Sequence, residues 1–194
     1  WGNDWASLSA LVASELGKYT LEARIQSGRR KQFRVSGNAL RSLSELYGYL
    51  NVVMFSPDDL QLVKGSPVLR RNFLDVVLAQ SSAVYRNYLV EYNRILQQRN
   101  AILKLLAEQR ASAAQLDVWD PQLVETGSRI IAARYRAVKA LGEAAAELHA
   151  EMTGQGESLT MIYRPFYETD GLTESGADLD LPEIVSRFEQ AMSM

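Results

Sequence analysis

The sequence predicts an α+β fold, a partial β-sheet lobe that carries a long antiparallel helical hairpin. Three observations predict it. Tyr19 to Ile25 alternates apolar and polar residues, the period-2 pattern of a half-buried strand. Two long segments, Pro67 to Arg110 and Gln122 to Met152, hold their apolar residues at spacings of three and four, the stripe of an amphipathic helix. Leu159 to Arg164 then reads as a further strand returning to a sheet.

Each element follows in order. Trp1 to Leu16 has no clear start signal and reads as a segment entered midway. Ser27-Gly28 turns the Tyr19–Ile25 strand into a second one over Lys31 to Val35, and Ser36-Gly37-Asn38 closes the unit. A short helix is expected over Leu40 to Tyr47, followed by a buried apolar strand at Val52 to Phe55, a Ser-Pro-Asp-Asp turn and an extended Leu-Val-Lys segment. Ser66-Pro67 starts a helix: a serine can cap a free N–H, and proline at the first helical position loses no hydrogen bond. The stripe of this helix runs through Tyr85, Tyr88/Leu89, Tyr92, Ile95/Leu96, Arg99, Ile102/Leu103 and Leu106.

Trp119-Asp120-Pro121 starts the second long helix, with Leu123, Ile130/Ile131, Val138, Leu141, Ala145 and Leu148 inward. Neither stripe can face water, so the two helices are expected to pair antiparallel. Thr153-Gly-Gln-Gly156 ends the hairpin, Tyr167 to Asp180 is expected as a polar loop, and a last helix begins near Leu181-Pro182. The expected regions are residues 1–66 (sheet lobe), 67–158 (helical arm) and 159–194 (returning strand, loop and terminal helix), with the chain read as cut at both ends.

Composition narrows the chemistry. With 194 residues the chain can bury a sizeable core. It has no cysteine, which excludes disulfides, cysteine–zinc sites and a thiol nucleophile and fits a reducing compartment, with cytoplasm the default. Its one histidine, His149, lacks companion ligands and reads as structural, so no metal site is expected. No apolar run approaches the ~18 residues that cross a bilayer, no signal peptide opens the chain, and no membrane partner is expected. The net charge of −2 conceals an asymmetry: residues 18–110 hold 15 Lys/Arg against 7 Asp/Glu, and residues 111–194 hold 6 against 14. A positive region suits an anionic partner; charge neutralisation between the two halves is the competing explanation.

The run VVMFSPDDLQLVKGSPVLRRNFLD over residues 52–75 is the most distinctive stretch. With Leu96-Gln-Gln-Arg99-Asn100 and Leu103-Lys104 after it, this run resembles the RecF family of bacterial DNA replication and repair proteins, and nearly all of the chain aligns with an internal segment of that family. The family is similar to the ATPase heads of structural-maintenance-of-chromosomes and Rad50 proteins. The resemblance implies an ATP- and Mg²⁺-dependent homodimer that binds DNA at gaps and single-strand/double-strand junctions and, with RecO and RecR, helps load RecA. It also implies a P-loop before residue 1, and a Ser-x-Gly-Gln signature and an Asp-Asp Walker B segment after residue 194. Within the chain, Gly28-Arg-Arg, Gly65-Ser-Pro and Gly154-Gln-Gly lack P-loop spacing and its lysine, so the chain alone is expected neither to hold ATP tightly nor to hydrolyse it. Two rivals remain: a helical-hairpin module that binds only protein, and the arm of another structural-maintenance-of-chromosomes or Rad50-like ATPase.

The candidate site residues each carry two readings. Asp58 and Asp59 sit on a loop that would lie near nucleotide or Mg²⁺, or else cap a turn. Lys64, Arg70 and Arg71 surround a helix start suited to DNA phosphates or a head–head contact, unless Arg71 pairs with Asp75 one turn on. Arg29, Arg30, Lys31 and Arg34 make a basic hairpin tip and strand, for DNA or merely for water. Arg99 falls inside an apolar stripe and needs a partner from the facing helix. Tyr85, Tyr88 and Tyr92 can stack on bases but read as core at this spacing.

Overall fold

A computed structural model describes residues 2–14, 17–167 and 180–193. The chain divides into two compact units, Trp1–Ala83 and Val84–Met194. The fold is α+β, with the sheet in the first unit and a helical hairpin in the second.

The first unit holds a four-stranded antiparallel sheet in the order β1-β2-β3-β4: β1 Trp5–Ser14, β2 Gly17–Gln26, β3 Gln32–Val35 and β4 Asn38–Ala39. The strands expected near 19–25 and 31–35 are β2 and β3. No strand was expected before them, because Ala and Ser dilute the alternation of β1, whose Trp5, Leu8 and Leu11 remain exposed. Register fixes two unlike faces. Glu22 lies opposite Arg34 and Arg24 opposite Gln32, so these four share a polar face, whereas Leu21 opposite Val35 and Ala23 opposite Phe33 make the apolar one. Tyr19 and Val35 are buried on the apolar face, where the Tyr19 ring meets the Tyr49 ring edge-on and its hydroxyl donates to the Tyr49 carbonyl.

Several expectations in this unit are corrected. The helix over Leu40 to Tyr47 is a single 3-10 turn, Leu43–Leu46. The strand at Val52 to Phe55 does not form: none of the described strands pairs with it, and Val53 and Phe55 are 101% and 87% exposed. A β-prone run becomes a strand only when a neighbour takes up its N–H and C=O groups; here the Val52 N–H goes instead to the Gln80 side chain at 2.9 Å. The segment expected as extended Leu-Val-Lys is helical, a 3-10 turn at Pro57–Leu60 running into α1, Gln61–Lys64.

The helix from Pro67 to Arg110 is two helices, α2 Pro67–Ser81 and α3 Ala83–Ala107. The break has a local cause. The Ser81 hydroxyl donates to the Val77 and Leu78 carbonyls at 3.0 and 3.2 Å, competing with the main-chain ladder, and Ser82 is extended at φ −139°. The division between the two compact units falls beside this break.

In the second unit α3 packs against α4, Asp120–Met152. Their side chains pair in opposite order along the two helices: Arg134 Nε donates to the Tyr85 hydroxyl at 3.2 Å, the Arg129 guanidinium lies over the Tyr88 ring, and Arg99 meets Asp120. This is the antiparallel hairpin the two stripes predict. Two positions depart from their stripes: Leu103 and Leu148 are exposed. A third helix, α5 Leu181–Met192, starts with Asp180 accepting from the Glu183 N–H at 3.0 Å. It seals the core with Ile184 and Phe188 against Ile95, Leu123, Val124, Ile131 and Ala132. The strand expected at 159–164 is also corrected: it has no strand partner among the described residues and runs beside α4, with Met161 Cβ 3.2 Å from where a Cβ on Gly142 would sit. The polar loop expected between Tyr167 and Asp180 lies outside the described residues.

Candidate functional site

The distinctive run at 52–75 folds into a self-clasped turn of helices. Ser56 takes an extended backbone, its N–H donates to Asp59 Oδ2 at 2.6 Å, and the Asp59 N–H returns to the Ser56 carbonyl at 3.0 Å. The Asp59 carboxylate therefore caps the 3-10 turn, while Asp58 beside it is exposed. Helix α1 closes with the Gly65 N–H on the Gln61 carbonyl at 2.7 Å. Glycine is required there: a Cβ would stand 2.5 Å from the Gln61 oxygen and 2.7 Å from Leu69 Cδ1. Ser66 is extended at φ −70°, ψ 157°, and Pro67 opens α2 as the sequence predicts, but the Ser66 hydroxyl does not make the expected cap.

The two neighbouring arginines part company. Arg70 turns back, and its Nη1 donates to the carbonyls of Leu62 at 3.0 Å, Gly65 at 3.1 Å and Val63 at 3.5 Å. Arg71, one position on and about 100° around the helix, is exposed, as is Lys64. Among the described residues neither Arg71 nor Lys64 forms an ion pair, so the Arg71–Asp75 bridge is not made.

The hairpin between β2 and β3 shows the same contrast. Arg30 Nη2 donates to the Arg41 carbonyl at 2.8 Å, whereas Arg29 and Lys31 project exposed at the tip. Arg34 is exposed on the polar sheet face, and Arg24 joins it there. The sequence reading passed over Arg24; counting by twos from Arg34's partner Glu22 would have found it. Every candidate cation of the first unit thus lies outside the acidic half of the sequence.

Among the described residues no group of three His, Cys, Asp or Glu could hold a metal ion, and the Asp59 carboxylate is committed to its cap. Gly28 and Gly154 serve a hairpin turn and a helix end. Among the described residues no helix is long and apolar enough to cross a membrane. Arg99 is structural: its Nε lies 2.6 Å from Asp120 Oδ1. Tyr85 is buried and Tyr92 packs against the core, while the half-buried Tyr88 ring lies under the Arg129 guanidinium. His149 sits 3.7 Å from the Glu157 carboxylate near the end of α4.

An antiparallel sheet with exposed cations in one unit and a helical hairpin in the other make an α+β protein. The comparisons with known proteins name the family. The chain is 38% identical over 184 residues to the DNA replication and repair protein RecF of Symbiobacterium thermophilum, covering 95% of this chain and 47% of the relative. It is 33% identical over 186 residues to RecF of Agathobacter rectalis, covering 93% and 51%, and 40% identical over 164 residues to RecF of Synechococcus, covering 82% and 42%. No family model matches the chain. A solved structure of the recombination mediator protein RecF-ATP in the RecFOR pathway superposes with a TM-score of 0.82 at 26% identity, over 100% of this chain and 51% of that one. A second, of RecF-ATPrS in the same pathway, shares the fold with a TM-score of 0.83 at 24% identity, over 100% and 50%. The chain belongs to the RecF family. It spans about half the length of the curated relatives it matches.

Proposed function

We propose that the protein acts in bacterial DNA replication and recombinational repair, binding DNA at gaps and single-strand/double-strand junctions as an ATP-dependent homodimer. With RecO and RecR it helps load RecA, in the cytoplasm, within the response to DNA damage. Kinship with proteins named for DNA replication and repair, and with a recombination mediator bound to ATP, supports the class. One observation in this chain supports the DNA contact: Lys64, Arg71, Arg29 and Lys31 are exposed cations without an acidic partner among the described residues, all in the first unit.

In this reading those four side chains neutralise backbone phosphates, and Arg70 and Arg30 belong to the same surfaces with part of each guanidinium held on main-chain carbonyls. A contact between the two heads of the dimer would use the same cations. Asp58, exposed beside the Asp59 cap, faces nucleotide or Mg²⁺ in the assembled dimer. ATP and Mg²⁺ themselves would be held by residues other than those of this chain.

The test is the affinity of the full-length protein carrying this chain for a gapped duplex and for a fully paired duplex of equal length, with and without magnesium-ATP. Tighter binding to the gapped duplex, and only with ATP, is expected. Equal affinities for the two DNAs, or binding indifferent to ATP, would sink the proposal.

A further inference from the structure

Helix α1 is a single turn, and the carbonyls at its C-terminal end have no partners within the helix. Arg70 supplies them from α2. Its Nη1 sits on the Leu62 and Gly65 carbonyls at 3.0 and 3.1 Å, with the Val63 carbonyl at 3.5 Å, and its positive charge lies where a helix end is negative. Lys64 is inside the loop of main chain that these bonds close, between two of the carbonyls that Arg70 holds. Gly65 leaves the turn no slack, with Leu69 packed where a Cβ would be.

From this arrangement we infer that Arg70 is a positioning residue. It clasps the α1–α2 turn and so fixes Lys64 relative to Arg71, the two cations of this turn that the DNA reading places on phosphates. This rests on the DNA reading given above. It assigns the two arginines of the Arg-Arg pair different work: Arg71 touches phosphate, and Arg70 acts through Lys64.

A double-mutant cycle separates the roles. Arg70→Ala, Lys64→Ala and the double variant, made in the full-length protein that carries this chain, are titrated with gapped duplex over a salt series in the presence of magnesium-ATP, with Arg71→Ala alongside. If Arg70 acts through Lys64, the first two variants lose affinity alike and the double variant loses no more. All three then lower the salt slope by about 0.9, the value of one phosphate contact. Amide exchange at Gly65 and Leu69 should quicken in Arg70→Ala and stay unchanged in Lys64→Ala, since these N–H groups close the turn. Losses that add, with a slope lower by about 1.8 in the double variant, would make Arg70 a direct phosphate ligand and overturn the inference. Unchanged exchange at Gly65 and Leu69 would overturn it too. If neither Lys64→Ala nor Arg71→Ala alters binding, the DNA reading of this surface fails and takes the inference with it.

Discussion

Arg99 Nε and Asp120 Oδ1 lie 2.6 Å apart, joining the middle of α3 to the first residue of α4. The carboxylate is doubly favoured there, by the guanidinium and by the positive end of the helix it begins. Both side chains are mostly buried, at 18% and 33% exposed. Removing either one strands the other charge, so Arg99→Ala and Asp120→Ala should each lower stability by about 1–3 kcal/mol. Denaturant titration of the double variant should reveal coupling: the combined loss should fall short of the sum of the single losses. Strict additivity would show that the pair contributes nothing as a pair.

Gly127 of α4 is the closest approach in the helical core. A Cβ there would stand 2.3 Å from Phe188 Cε1 and 3.1 Å from Tyr92 Cε2. Alanine favours a helix over glycine by about 1 kcal/mol, yet overpacking a filled core costs about 1–3 kcal/mol. With two rings in the way the clash should win, and Gly127→Ala should melt lower than the parent. Adding Phe188→Leu should recover part of the loss. A Gly127→Ala variant that melts higher would mean that α5 can move aside freely.

Tyr167 carries a pH prediction. Burial pushes its hydroxyl up to about 12 from an ordinary value of 10.0, because the phenolate would lose its water. A folded value above the unfolded one makes a contribution that is whole below pH 10 and is lost as pH rises through about 12. The melting temperature should therefore fall more steeply between pH 10 and 12 in the parent than in Tyr167→Phe. At neutral pH the phenylalanine variant should be as stable or slightly more so, since the buried hydroxyl has no hydrogen-bond partner among the described residues. Matching profiles for the two proteins would contradict the assignment.

The described glycines serve turns and close approaches, and among the described residues none opens a phosphate-binding loop. Purified residues 1–194 should accordingly show no ATP hydrolysis above buffer, and magnesium-ATP should not raise the melting temperature. Turnover that survives further purification would contradict this.

What the sequence made legible follows from the range of the forces involved. The β2–β3 hairpin, most of the two stripes and the starts at Pro67, Pro121 and Pro182 are local signals, and they appear where period and proline place them. The segments at 52–55 and 159–164 have strand composition but need a partner strand, which no local pattern supplies. The break at Ser82 hangs on one hydroxyl competing for two carbonyls, too small a term for periodicity to register. At the candidate site, residue type showed that Lys64, Arg70 and Arg71 are cationic. Only the folded turn distinguishes Arg70, which grips carbonyls, from Arg71, which is likewise exposed and makes no such bonds among the described residues.

The central claim is that this chain meets DNA through the exposed cations of its first unit, and the salt dependence of binding tests it most directly. Replacing Arg29, Lys31 and Arg71 together with alanine, in a full-length protein shown to fold and bind ATP normally, should weaken binding to gapped duplex of any sequence. The slope of log affinity against log salt should flatten by roughly 2.7, since each lost phosphate contact removes about 0.9. An unchanged affinity with an unchanged slope would contradict the account and leave these residues to a protein–protein contact or to solvent.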